Sequence, residues 1–357
     1  MPKRSAKNKN ASKTKVKKAK TSLGAPEEVT HRPLPKVLFG HPPELANKIF
    51  KDVDPIDLLN LATVSKSSRD LVESLSIKVN SISIRYHSAL AEIAIKMAND
   101  KRFEFEIRTS RKLVKKGRRD KTIRRIGNDE FVIERDQRCE NCYVIHCSDK
   151  EQLARVLSRF FLGIYRTEDV SFSHHSPRRG IMMYFIKNIT TRFSRFEIAA
   201  NLELNDEEFR VVMEGISVKD WFRFNSDQEH NFDRPFQHKI MSLEMPWKAS
   251  NLIGMRCEKL YLGKIESPAV EDLKAFAQSW KEGGMPQLEK VTFHFLGTGW
   301  KNLVWTSLKS LGFTDQPPQL PLPSEIERDE PENLLHIQRE DGRVASLTFY
   351  TVRYTRV

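Results

Sequence analysis

From Ser148 onward the chain alternates short aromatic or β-branched runs with amphipathic helical runs, and no other feature narrows the fold as far. Period-2 patterning predicts strands at 170–173, 196–198, 221–224, 260–262 and 291–295. Period-3.6 patterning predicts helices between them. One is capped by Ser148 and carries Leu153, Val156, Leu157, Phe160 and Phe161 on one face. Another runs from about Asp206 with Phe209, Val212, Met213 and Ile216, and a third carries Val270, Leu273, Phe276, Ala277 and Trp280. The first inward residues of the strands, Val170, Phe196, Phe222, Leu260 and Val291, recur at intervals of 26, 26, 38 and 31 residues. The longest interval leaves room for a further strand near Leu243.

A strand and a helix every ~20–29 residues is the signature of a solenoid in which each unit buries its face only against the next. The expected fold class is therefore α+β / α/β, with an irregular leucine-rich-repeat-like strand–helix domain over 148–357. Successive strand residues face opposite sides of a sheet. Val170, Phe172, Phe196, Ile198, Phe222, Phe224, Leu260, Leu262, Val291, Phe293 and Phe295 then point inward. Ser171, Ser173, Glu197, Trp221, Arg223, Lys259, Tyr261, Thr292 and His294 form an exposed row. Within that row Trp221, Arg223, Lys259, Tyr261, Thr292 and His294 are candidate substrate-binding residues. Trp, Tyr and Arg dominate interface hot spots, which makes Trp221, Arg223 and Tyr261 the expected anchors. The alternative is that a neighbouring loop covers Trp221 and Tyr261 as satellite core.

At 357 residues the chain holds two or three packed units, and 39% hydrophobic residues with 21 Phe supply ample core. No run approaches the ~18 uncharged apolar residues of a membrane helix, and no apolar segment follows the basic N-terminus. A soluble, non-secreted protein without membrane contact is expected. Only four cysteines are present, three of them within nine residues (Cys139, Cys142, Cys147), which suits a reducing compartment, cytoplasm or nucleus. The net charge of +13 is concentrated: residues 1–21 carry nine Lys or Arg and no acid, and residues 108–126 carry ten against Asp120 alone. The remainder is net acidic, so the high pI reports two local basic segments and not a basic folded body, which weakens the inference to a dedicated nucleic-acid-binding domain.

Residues 1–30 hold almost no large apolar side chain and are expected to form a disordered basic tail. Between His41 and Leu75 three short helices are punctuated. Pro42 and Pro43 suit a first turn, Asp54-Pro55 an N-cap with proline at N1, and Ser65 a third cap. Leu45, Ile49 and Val53 make one apolar stripe, with Phe50 beside it. The apolar positions exceed what three short helices can bury among themselves, so another surface must cover them.

The run Pro-Pro-Glu-Leu, Lys-Ile-Phe, Asp-Pro-x-Asp-Leu-Leu, Val-Ser-Lys and Arg69 resembles the F-box motif in order and spacing across its whole length. It departs from the family pattern at His41, where Leu is usual, and at Ser67 or Ser68, where Trp is frequent. The resemblance implies a domain over 31–80 that docks on a Skp-type adaptor and, through it, a cullin. Pro42, Pro43, Leu45, Ile49, Phe50, Val53, Leu58, Leu59, Leu61 and Val64 would be its adaptor-binding residues. Farther on, Phe276, Trp280, Gly283, Gly284, Pro286, Leu288 and Glu289, with the ending around Asp341-Gly342, resemble the type-2 F-box-associated domain of the large nematode F-box family. That resemblance implies that residues 148–357 capture an unknown protein substrate, and the whole chain then serves as the substrate-recognition subunit of an SCF-type ubiquitin ligase, an adaptor and not an enzyme.

Residues 81–147 are expected to be a strand-rich connector, with Phe103, Phe105, Ile107, Phe131 and Ile133 in alternation around a basic loop that turns near Gly117. Nucleic acid bound through tail and loop is the alternative function, although no aromatic interleaves the charges for base stacking. Cys139, Cys142, His146 and Cys147 include C-x-x-C, but adjacent strand side chains face opposite ways, so half-buried thiols are expected there and no metal. His174 and His175 beside Ser173 and Ser176 are expected in a surface loop and not in a triad. No phosphate loop, G-x-S-x-G, H-E-x-x-H or dinucleotide fingerprint is present, so no cofactor or catalytic residue is assigned. Deleting residues 1–21 should leave the melting temperature of the remainder unchanged, because they have nothing to bury. A fall of several degrees by calorimetry would place the tail in the packed structure.

Overall fold

The first three helices of the computed structural model have bounds that the sequence explains. Residues 43–110, 123–137, 139–199, 202–228, 230, 238–265, 270–296, 306–314, 334–338 and 344–352 are described. The basic tail, Pro42 and the loop at 111–122 with Gly117 lie outside them. Helix α1 is Pro43–Phe50, α2 is Pro55–Val64 and α3 is Lys66–Glu73. Asp54 holds the extended N-cap conformation with Pro55 behind it, though its side chain makes no cap bond. The Ser65 side chain accepts from the Ser68 amide at 3.0 Å and starts α3.

Strand β1 (Ile77–His87) follows at once and pairs antiparallel with β2 (Leu90–Met97), which pairs antiparallel with β3 (Arg102–Thr109). The tight β2–β3 turn places Asp100 at φ +63. Strands β4 (Ile123–Ile126) and β5 (Asp129–Arg135) form a hairpin whose turn includes Gly127 at φ +62, a conformation glycine adopts without strain. Strand β6 (Cys142–Cys147) runs antiparallel to β5 and parallel to β3. The alternation at 103–107 and 131–133 thus does lie on strands. Strand β1 escapes a parity reading because the register shifts between Val79 and Ser81, so Val79 and Ile82 are both buried three positions apart.

The second half begins with α4 (Lys150–Ile164), capped by Asp149 and not by Ser148. The Asp149 carboxylate accepts from the Glu151 and Gln152 amides at 2.9 and 3.1 Å. Then come β7 (Tyr165–Arg166), β8 (Val170–His175), α5 (Arg179–Asn188), β9 (Arg192–Ile198), α6 (Asp206–Glu214), β10 (Ser217–Asn225), β11 (Ile240–Glu244) and α7 (Ala249–Leu252). Strand β12 (Lys259–Ile265), α8 (Val270–Lys281), β13 (Lys290–Leu296), β14 (Leu334–Gln338) and β15 (Val344–Val352) complete it. Helix α6 carries a full capping box between Asn205 and Glu208. Helix α5 was not expected: Ile181, Met182, Met183, Phe185 and Ile186 are all buried, and a helix covered on most sides shows no amphipathic stripe.

One sheet runs in the order β14-β15-β13-β12-β11-β10-β9-β8-β1-β2-β3-β6-β5-β4, with β7 against β1. Strands β8 to β13 lie in chain order, each parallel to the next. The register sets Phe172 opposite Phe196, then Phe222, Met241, Leu260 and Val291, steps of 24, 26, 19, 19 and 31 residues. Strand β11 halves the 38-residue interval, as the gap near Leu243 suggested. Phe172, and not Val170, is the partner of Phe196. The connector expected at 81–147 is the second wing of this same sheet, antiparallel except where β3 meets β6, and β1 crosses the boundary drawn at 80.

Behind the sheet lies one continuous core that also takes in the three helices. Leu58, Leu59, Ala62 and Val72 are fully buried with Ile82, Ile93 and Phe105. One aromatic line crosses the strands, Phe172 to Phe196 at 5.4 Å and Phe196 to Phe222 at 6.0 Å between ring centroids. His174 and His175 are not in a surface loop but on β8, and His174 is fully buried against Tyr86 at 5.5 Å. His238 stacks on Phe222 at 4.6 Å. Burial lowers both imidazoles to pKa values of about 4. In the unfolded chain they take up protons near pH ~6.5. The unfolded state therefore binds more protons between those values, and stability, level above the unfolded pKa, falls as pH drops toward 4. The slope should approach about 1.4 kcal/mol per pH unit for each histidine. Urea midpoints at pH 7.5 and 5 test this: the midpoint should drop, and His174→Phe should shrink the drop. An unmoved midpoint would contradict the neutral, buried state of these rings.

Candidate functional site

The face of the sheet opposite the core carries the polar residues. Across it the register aligns Arg85, Ser173, Glu197, Arg223, Ser242, Tyr261 and Thr292. Arg223 is clamped: Nε and Nη2 donate to Glu244 Oε1 at 2.8 and 2.5 Å, and Nη1 donates to Glu197 Oε1 at 2.9 Å. Burial pulls its pKa down, but the bonds and charges of Glu244 and Glu197 outweigh that and raise it. Gly263 leaves room for this clamp, since a Cβ there would come within 2.8 Å of Glu244 Cγ. The Trp221 and Tyr261 rings lie 5.5 Å apart, both half-buried, with Lys259 half-buried at the start of β12.

Thr292 departs from the exposed row expected for it. It is only 2% exposed, and its hydroxyl lacks a hydrogen-bond partner among the described residues. A short side chain between Tyr261 on β12 and the adjoining strand β15 is closed over. The backbone of His294 lies on β13 opposite Tyr350, and its side chain is outside the described residues.

Beside Trp221, the same face holds a cavity of about 840 Å³ whose lining includes Ser83, Arg85, Ser171, Ser173 and Arg195. Arg85 approaches Glu92 at 3.8 Å. His87 and His175 stack at 4.7 Å. None of the β1 residues here was anticipated, nor was Arg195. The signal was present in Ile82, Ile84 and Tyr86 alternating with Ser83, Arg85 and His87, but the bulge before it hid the strand.

A second surface lies on the helices. Leu45 is 39% exposed, Ile49 48% and Val64 55%. These make up three of the five large hydrophobic side chains exposed among the described residues, the others being Ile123 and Ile253. Leu45 and Ile49 stand one turn apart on α1 and share a face. Val53 and Leu61 are half-buried and packed against the core, and Phe50 is 8% exposed. Leu58 and Leu59 cannot serve a partner, because both are fully enclosed beneath α2 in this chain's own core. Of Pro43 only the backbone is described, at the start of α1.

Cys139 and Cys142 are joined by a disulfide across the short β5–β6 connection, with Cα atoms 5.3 Å apart, and are not the thiols expected. Cys147 and Cys257 are buried thiols, both pushed up to about 12 by burial. Among the described residues no group of three or more His, Cys, Asp or Glu is arranged to hold a metal.

A model of the F-box domain matches residues 38–80, so the helical surface with Leu45, Ile49 and Val64 belongs to an F-box. No curated protein and no solved structure matches the chain.

Proposed function

We propose that this chain is the substrate-recognition subunit of a Skp–cullin–F-box ubiquitin ligase. The F-box at 38–80 is the observation that carries this, since such domains dock on Skp-type adaptors and link them to a cullin. The exposed Leu45, Ile49 and Val64 support it: apolar side chains left open to solvent on two short helices suit an apolar partner surface. Residues 148–357 are read as an F-box-associated, leucine-rich-repeat-like domain whose polar face holds a protein target in the cytoplasm or nucleus. The contribution to catalysis is positional. A tethered target meets the transfer enzyme at raised effective concentration, so attack by its lysine becomes nearly intramolecular.

Ile49→Asp tests the adaptor surface without entering the core, because the side chain is half exposed. Burying an unpaired carboxylate in the interface should weaken capture of a purified Skp-type adaptor by at least about tenfold. Ile253→Asp, an equally exposed apolar position outside the F-box, should leave capture intact. Equal effects of the two, or no capture by the wild type, would remove the ligase role.

Trp221→Ala combined with Tyr261→Ala tests the target surface while sparing Arg223, whose loss would strand Glu197 and Glu244. Adaptor capture should persist, and proteins whose ubiquitination depends on the wild-type chain should no longer be modified in a reconstituted reaction. Unchanged modification would exclude this aromatic pair from target binding.

A further inference from the structure

The cavity beside Trp221 has a floor of short side chains and a wall of long ones. Ser83 on β1 lies opposite Ser171 on β8, and Ser171 opposite Arg195 on β9. Two residues along, Arg85 lies opposite Ser173. With strands ~4.8 Å apart and ~3.4 Å per residue, the Arg85 and Arg195 Cα atoms stand about 12 Å apart across the serines. Two extended arginine side chains can span that gap and meet one group above Ser171.

The charges are available. Arg195 is exposed, and no carboxylate among the described residues reaches it within ion-pair distance. Arg85 has only the 3.8 Å contact with Glu92, both partners well exposed, which is worth little. Arg223 and Glu197 satisfy each other. Two carboxylates also line the cavity: Glu197 on β9, which is held by Arg223, and Asp220 on β10, two strands from Ser171. With Arg223 and Glu197 paired to each other, Arg85 and Arg195 are the cations beside Ser83 and Ser171.

We infer that the hollow floored by Ser83 and Ser171 is an anion subsite that takes a carboxylate side chain from an acidic, extended segment of a partner protein; the Ser173 hydroxyl is already given to Glu197, to which it donates at 3.3 Å. Arg85 and Arg195 supply the guanidinium forks that match a carboxylate, and the serine hydroxyls donate from below. Flanking residues of the segment run over the Trp221–Tyr261 pair. This rests on the proposal that the outer face holds the target, and names the chemistry of what it holds.

The probe is a fluorescein-labelled peptide alternating Glu and Gly, titrated into the full-length protein at physiological ionic strength and followed by anisotropy. Binding should saturate, and the Gln–Gly counterpart should not bind. Arg195→Ala and Arg85→Ala should each weaken binding at least fivefold, and Ser171→Glu, which puts a carboxylate in the hollow itself, should abolish it. Lys17→Ala makes the same change of net charge in the basic tail and should have no effect. If Lys17→Ala and Arg195→Ala weaken binding equally, the attraction is diffuse and the subsite is refuted. Binding only when phosphoserine replaces Glu would refute the carboxylate and assign the hollow to phosphoryl groups. Because no adaptor is present, failure here leaves the Ile49→Asp result standing, and failure of that result leaves this one standing.

Discussion

Strand β1 is the member on which the rest of the architecture depends. Its 11 residues pair antiparallel with β2 on one edge and parallel with β8 on the other. The second pairing brings together Ile84 and Phe172, 88 positions apart in the chain. It joins a wing of local hairpins to a succession of parallel strands, and α3 runs into it through Leu75 and Ile77, both buried. Remove its hydrogen bonds and the three helices, the antiparallel wing and the parallel wing have no common backbone. Such a long-range pairing forms late and slowly in a folding chain, because loop closure must precede any reward from contact.

The parts readable from sequence were those where one periodicity ran undisturbed. Around Phe196, Phe222, Leu260 and Val291 the parallel strands alternate cleanly, the register shifts of β10 and β12 falling outside the stretches read, and Phe196, Ile198, Phe222, Phe224, Leu260, Leu262, Val291 and Phe293 lie in the core. The F-box helices were marked by Pro43, Asp54-Pro55 and Ser65, each a local signal that needs no tertiary help. The failures have physical causes of their own. A bulge at Asn80 broke parity in β1, near-complete burial erased the stripe of α5, and Asp149 displaced Ser148 as a cap one residue on. Thr292 shows a limit of parity itself, which assigns a face and says nothing of what lies over it.

The same limit shaped the helical surface. The motif marks apolar positions but does not separate those facing the chain's own sheet from those facing outward. Leu58 and Leu59 went to the former, Leu45, Ile49 and Val64 to the latter. On the polar face, cross-strand neighbours decide which charges are spent. Arg223 is bound by two carboxylates from adjacent strands, whereas Arg195, next to serines, is not. A linear reading names Arg223 and passes over Arg195, which lies just before the strand it reads at 196–198, whereas β9 begins at Arg192 and the sheet reverses the order of availability.

The direct run of α3 into β1 leaves no linker between the helices and the sheet, and one core spans both. A ligand on the polar face therefore keeps a set distance from α1, and that distance is graduated. Strands β8 to β13 follow chain order, so each strand gained or lost between β1 and a binding position moves that position by about 4.8 Å. Reach in such a molecule is adjusted by whole rungs, as on a ladder, and not by lengthening a tether.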